Sequence, residues 1–286
     1  MRAGTFRAPW AALALALVGG TLMIGLATPA TADAARCFGK KPTIIGTDKS
    51  EKIVGTRKTD VIFARRGNDR IVGKGAPDRI CGGPGNDKVK GDIGIDSLGG
   101  GLGNDKLSGG SEADFVDGEE GNDSLAGGDG DDSELYGGDG KDRVDGGAGD
   151  DRLPFEVQDG DPDAYAGGAG IDTVDLSWGA SAVTVSLDGE ADDGVNCPQQ
   201  CEGDNVEASI ENLIGTYADD RLVGSGANNV LEGSDGSDVI DGAGGDDILR
   251  GGWGDDALDG GSETDECRGD DGTDTAANCE SVFGIP

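Results

Sequence analysis

From Asp60 to Asp132 an aspartate recurs every nine residues: Asp60, Asp69, Asp78, Asp87, Asp96, Asp105, Asp114, Asp123 and Asp132. Two positions after each of the first eight stands an apolar side chain: Ile62, Ile71, Ile80, Val89, Leu98, Leu107, Val116 and Leu125. Glycines fill the stretch before each acid. Carboxylates and carbonyls are hard oxygen donors, and Ca²⁺ takes about six to eight of them at about 2.3–2.6 Å. Glycine lets a turn adopt positive φ and aim its carbonyls inward. Acids and glycines at this spacing therefore predict a row of Ca²⁺-binding turns.

A nine-residue period is too short for a helical repeat. It fits six turn positions and three strand positions, Gly-Gly-x-Gly-x-Asp followed by x-apolar-x, stacked as a parallel β-helix. Full matches run over residues 82–90, 100–108, 137–145, 146–154, 167–175 and 251–259. A three-residue strand buries only its central side chain, so the core of each repeat is thin. Metal binding and stacking must supply what that core does not.

These nonapeptides resemble the RTX, or haemolysin-type calcium-binding, family over roughly residues 44–175 and 215–277. The resemblance implies an all-β, right-handed parallel β-roll (a β-helix solenoid). Alternate repeats would form opposite edges, with several Ca²⁺ ions between turns eighteen residues apart. Its implied ligands here are Asp69, Asp87, Asp105, Asp123, Asp132, Asp142, Asp151, Asp172, Asp238, Asp247, Asp256 and Asp274.

The glycine at turn position four separates the edges. Asp69, Asp87, Asp105 and Asp123 follow Gly67, Gly85, Gly103 and Gly121, and Asp238, Asp256 and Asp274 follow Gly236, Gly254 and Gly272. On the other edge Asp60, Asp78, Asp96 and Asp114 follow Lys58, Ala76, Gly94 and Glu112, while Asn229 and Asp265 follow Ala227 and Glu263. Well-formed sites are expected mainly along the first edge.

Two register slips interrupt the period, near Glu134 and over residues 154–160. Residues 176–214 leave it altogether. Val183, Val185 and Leu187 alternate as a half-buried strand does. An acidic loop follows, holding Asp188, Glu190, Asp192, Asp193, Glu202 and Asp204, and it reads as a solvated insertion, an additional Ca²⁺ site or a ligand-contacting loop. The expected layout is a signal peptide (1–32), an N-terminal cap (33–45), a first roll block (46–175), the insertion with short strands (176–214), a second block (215–277) and a C-terminal cap (278–286).

The first 32 residues carry Arg2 and Arg7, an apolar run from Ala11 to Leu26, and then small residues. This is the layout of a secretory signal peptide, and it predicts an extracellular protein with no integral membrane segment after cleavage. Without those residues the chain keeps 21 basic and 57 acidic residues, a net of −36. Such a charge does not suit a nucleic-acid partner. The family's common export route reads a C-terminal signal, whereas the N-terminal signal here points to general secretion.

Six cysteines in an exported chain imply disulfides. Position suggests Cys37–Cys81, Cys197–Cys201 and Cys267–Cys279, the first and last at the exposed ends of the solenoid.

Residues 36–90 hold fourteen Lys or Arg against six acids. Those cations either fill solvent-facing positions or touch an anionic surface such as a wall polymer.

The chain has no histidine, which removes the usual general base, the zinc-ligand imidazole and the Ser-His pair. The largest block outside the repeats is about forty residues, too small for a catalytic domain. The expectation is a secreted, non-catalytic Ca²⁺-binding protein with a structural or surface role. The alternatives are a Ca²⁺-dependent adhesion or matrix protein binding cell-wall or polysaccharide ligands, and an accessory module of a polysaccharide-active enzyme.

Overall fold

Short apolar-centred segments can bury their middle residue only by stacking on copies of themselves, and the chain does this throughout. The computed structural model describes residues 37–156, 160–195 and 203–285. It is an all-β parallel solenoid of about 13 turns, with no helix among the described residues. The nonapeptide roll read from the period is the observed fold.

The turns build two faces. One is a six-stranded sheet followed by a seven-stranded sheet, and the other an eight-stranded sheet followed by a six-stranded one. Apart from the antiparallel pair of Val183–Ser186 with Gly194–Val195, pairing within a face is parallel and joins residues one full turn apart, as from Ile62 to Ile80, Ile80 to Leu98, Ile71 to Val89 and Val89 to Leu107. The first face crosses between its sheets where Arg152 N–H donates to Asp132 C=O at 2.8 Å.

The core is a stripe one side chain wide. Ile62, Ile71, Ile80, Leu98, Leu107 and Val116 are each 0% exposed. Burying one such side chain contributes about 1.5–3 kcal/mol. Apart from a few residues such as Ala64, Phe155 and Leu176, the turns bring little further apolar burial to offset the entropy of ordering the rest of each repeat. The roll therefore needs another source of stability along its edges.

Both ends are closed covalently. Cys37–Cys81 and Cys267–Cys279 form as expected, with Cα separations of 5.8 and 6.0 Å. By loop entropy they are worth about 4 and about 3 kcal/mol against the unfolded chain. The N-terminal segment lies on the first face, where Phe38 meets Phe115 edge-on with centroids 5.6 Å apart. The expected Cys197–Cys201 pair lies outside the described residues, as does the expected signal peptide.

The insertion is built into the roll. Val183, Val185, Leu187, Val195, Val206 and Ile210 are buried in the same core cluster as the repeats on either side. Its threading is out of order. Val183–Ser186 pairs with the later strand Arg221–Val223, whereas Asn205–Val206 steps back to pair with Ala164–Tyr165. Asp193 closes the gap, accepting from Ser186 N–H at 2.7 Å and Val206 N–H at 2.8 Å.

Candidate metal centre

The aspartates of the period lie inside the turns, and each described one is no more than 6% exposed. A carboxylate buried in that way must be paired or hydrogen-bonded to persist as an anion. One oxygen of each is provided for. Asp69 N–H donates to Asp87 Oδ1 at 2.6 Å, Asp87 to Asp105 at 2.6 Å and Asp105 to Asp123 at 2.7 Å. The opposite edge repeats this from Asp78 to Asp96 at 2.7 Å and from Asp96 to Asp114 at 2.8 Å. Each edge is thus a ladder of carboxylates, every rung holding the backbone of the turn before it.

The second oxygen is different. Oδ2 of Asp69, Asp78, Asp87, Asp96, Asp105, Asp114, Asp123, Asp132, Asp151, Asp172, Asp238, Asp247, Asp256, Asp265 and Asp274 is buried and meets no hydrogen-bond donor. These include eleven of the twelve ligands expected from the sequence. The twelfth, Asp142, is buried on the first edge, where its Oδ1 accepts from Asp123 N–H at 2.6 Å.

Backbone oxygens turn toward the same space. A methyl group placed on Gly82 would come within 2.4 Å of Asp87 Oδ2 and 2.7 Å of the Gly100 carbonyl oxygen. The same construction at Gly233 meets Asp238 Oδ2 at 2.2 Å and Gly251 C=O at 2.6 Å. Carboxylate and carbonyl oxygens face one another there with no proton between them, which is the environment of a hard cation. Among the described residues no three acidic or cysteine side chains converge on one point. Carbonyls must therefore complete any coordination shell, as the glycine-rich turns allow.

Proton affinity reflects the same crowding. Asp105 is pushed up to about 8, first by burial and then by repulsion from Asp123, Asp87 and Glu119, against the lowering hydrogen bond from Asp87 N–H. Burial likewise carries Asp114, Asp123, Asp132 and Asp238 to about 7.

Some turns solve the problem without a cation. Thr56 donates its N–H to Asp60 Oδ2 at 2.6 Å and its hydroxyl to the same oxygen at 2.9 Å. Thr216 N–H reaches Asp220 Oδ2 at 2.6 Å, and Ser225 N–H reaches Asn229 Oδ1 at 2.7 Å. Thr47 N–H does the same for Glu51. These are closed turns, and position two decides the class. It is Thr or Ser without positive φ in each closed turn. In every open turn it takes a φ between +67° (Ala243) and +133° (Gly110). Residue type alone does not carry the distinction, since Ser234 stands after Gly233 in an open turn at φ of 82°.

Position four differs in backbone shape by residue type and not by edge, since Gly94 on the second edge lies at φ of 128° with the other glycines. Gly67, Gly85, Gly103 and Gly121 lie at φ of 118° to 151°, while Ala76 and Glu112 take 75° and 77°. The carboxylates do not follow that division. Asp78, Asp96, Asp114 and Asp265, on the edge where few well-formed sites were expected, carry the same donorless oxygen.

The ladder also recruits residues that the period did not mark. Glu211 and Glu280 accept from Asp172 N–H at 2.9 Å and Asp265 N–H at 2.7 Å. Asp204, from the acidic loop, accepts from Asp163 N–H at 2.8 Å.

No curated protein matches the chain. The sequence pattern of the RTX calcium-binding nonapeptide repeat matches it over residues 45–80, 65–98, 99–134, 132–153, 214–249, 232–267 and 241–276, more than half of its length. With the stacked carboxylate ladders, these matches establish that the chain belongs to the RTX calcium-binding nonapeptide repeat family.

Proposed function

We propose that this is a secreted, non-catalytic Ca²⁺-binding β-roll that folds on meeting extracellular Ca²⁺ and serves a structural or surface-associated role. The observation that carries the reading is the double column of buried, donorless Oδ2 atoms. Asp69, Asp87, Asp105, Asp123, Asp132, Asp142, Asp151, Asp172, Asp238, Asp247, Asp256 and Asp274 would hold the ions with turn carbonyls, and the bound ions would neutralise carboxylates that otherwise repel. In a low-Ca²⁺ compartment the net charge of −34 keeps the chain expanded, a state suited to export. Extracellular modules of this kind bind at roughly 10⁻⁴–10⁻³ M. Each site adds about 1.4 kcal/mol per tenfold excess of Ca²⁺ over its dissociation constant. Circular dichroism with and without Ca²⁺, followed by metal counting, tests the reading. A chain already β-rich in chelator sinks it.

A Ca²⁺-dependent adhesion or matrix role is the second reading. Trp178 and Trp253 are 81% and 69% exposed, large apolar surfaces that folding leaves uncovered. Retention of the Ca²⁺-loaded protein on cell-wall or polysaccharide fractions separates this reading from a passive binder.

A further inference from the structure

The outer surface of the eight-stranded sheet carries a feature that metal binding does not use. Its strands present Lys52, Arg70, Lys88 and Lys106 in direct lateral register, Lys52 beside Arg70, Arg70 beside Lys88 and Lys88 beside Lys106. All four are exposed, and the next residue on each strand, Ile53, Ile71, Val89 and Leu107, is buried. Alternation therefore turns the four cations outward on one flat face. Lys90, two residues after Lys88, is exposed on the same face. Strands lie about 4.8 Å apart, so the row spans about 14 Å.

Like charges directly opposite one another destabilise a sheet. A chain with 57 acidic residues has every means to interleave partners, yet none of these five cations has a carboxylate within 4.0 Å among the described residues. Ion pairs form elsewhere, at Arg65–Asp48, Arg143–Glu207 and Arg250–Glu232. The contrast is sharpest within the row itself. After Lys106 comes Ser124, then Arg143, and Arg143 is paired.

We propose that the row is a binding lane for a linear anionic polysaccharide with one carboxylate per sugar, laid across the strands. One pyranose ring of an extended chain covers about one strand spacing, which keeps carboxylates in step with cations. The outward positions of these strands hold no aromatic residue, so unpaired bases find no stacking platform and single-stranded nucleic acid is the poorer fit. The lane deepens the adhesive reading and relies on it only for the class of ligand.

The test is affinity electrophoresis and co-sedimentation of the Ca²⁺-loaded chain with polygalacturonate at low salt. Lys88→Glu with Lys106→Glu should weaken binding about tenfold or more, and salt should weaken the unsubstituted protein steeply. Lys88→Gln with Lys106→Gln should show a smaller loss, which keeps the test valid if the charge reversal misfolds. The charge-matched control, Lys58→Glu with Lys141→Glu in exposed turns, should bind as the unsubstituted protein does. Circular dichroism in Ca²⁺ checks that all variants fold. Unchanged binding by both lane variants, an equal loss in the control, or preference for an oligonucleotide or polyphosphate overturns the lane. Binding to a neutral glucan but not to polygalacturonate removes the lane and leaves the adhesive reading standing. Binding to neither removes both.

Discussion

Two kinds of turn share this coil, and they meet the same electrostatic problem in opposite ways. In the closed turns at residues 55–60 and 215–220, the residue after the first glycine is Thr56 or Thr216, and its N–H and hydroxyl hold the carboxylate. In the open turns, such as residues 82–87 and 100–105, that residue lies at positive φ and Oδ2 of the aspartate has no donor. The closed turns open each run of repeats, and the open ones fill it. A self-satisfied rung can form before any ion is bound and offers a template edge. An open rung is unfavourable until a cation arrives, so its folding is coupled to the metal. The division makes the roll responsive to Ca²⁺ without making its first turns dependent on it.

The largest effect that can break this contrast is metal removal. Chelation should abolish most of the β signal, and restored Ca²⁺ should recover it in one steep transition. Circular dichroism against free Ca²⁺ measures this, and a shallow transition would mean that the open rungs are independent.

Next comes a pair of substitutions. Asp105→Ala removes an open rung, the acceptor for Asp87 N–H and one anionic ligand, and should cost about 3 kcal/mol in Ca²⁺. It should also lower the ion count and flatten the transition. Asp220→Ala removes a closed rung and should lower thermal stability by about 1–3 kcal/mol with the ion count unchanged. Calorimetry with metal analysis reads both, and equal ion loss would erase the distinction.

Acidity gives a smaller effect with a definite sign. Burial raises Asp87 and Asp247 to about 6, Asp123 and Asp238 to about 7 and Asp105 to about 8. All lie above the ordinary aspartate value, so without metal the fold prefers these groups protonated. That contribution is fully present below pH of about 4 and is lost as pH rises through about 6 to 8. In chelator, acidification should therefore restore some β structure. With Ca²⁺ present, protons compete with the ion, and apparent affinity should fall between about pH 8 and pH 5. Isothermal titration at several pH values should find proton release on binding.

The smallest effect probes a closed turn alone. Thr216→Val keeps the N–H donor and shape but deletes the hydroxyl bonded to Asp220 Oδ1 at 3.0 Å. It should cost about 1 kcal/mol and leave the Ca²⁺ midpoint nearly unmoved, as thermal melts at fixed Ca²⁺ will show.

Much of the candidate site was legible in advance because the roll is nearly one-dimensional. When residue n stacks on residue n + 18, the nine-residue spacing of Asp69 and Asp78 already assigns them to opposite edges. The same logic placed Ile62 and Ile80 in one core stripe, while the need to cap the exposed end suggested Cys37–Cys81. Reading failed where stacking partners stop being one period apart. Glu211 serves Asp172 across 39 residues, and Asp204 serves Asp163 across 41. Neither shares the spacing that identified the others.

Sequence by itself determined the coil, its apolar stripe and the acid on each rung, because these depend on local pattern repeated at a fixed distance. Tertiary structure alone decided which carboxylate oxygens are left without a donor. That outcome depends on the direction of a single N–H at turn position two and on which turn lies above. It also decided the path of residues 176–214, where Asp193 joins Ser186 to Val206 and the chain steps back before going forward. No period records such a step, since it is settled by burying Val183, Val185 and Val206 in a core that the neighbouring turns have already built.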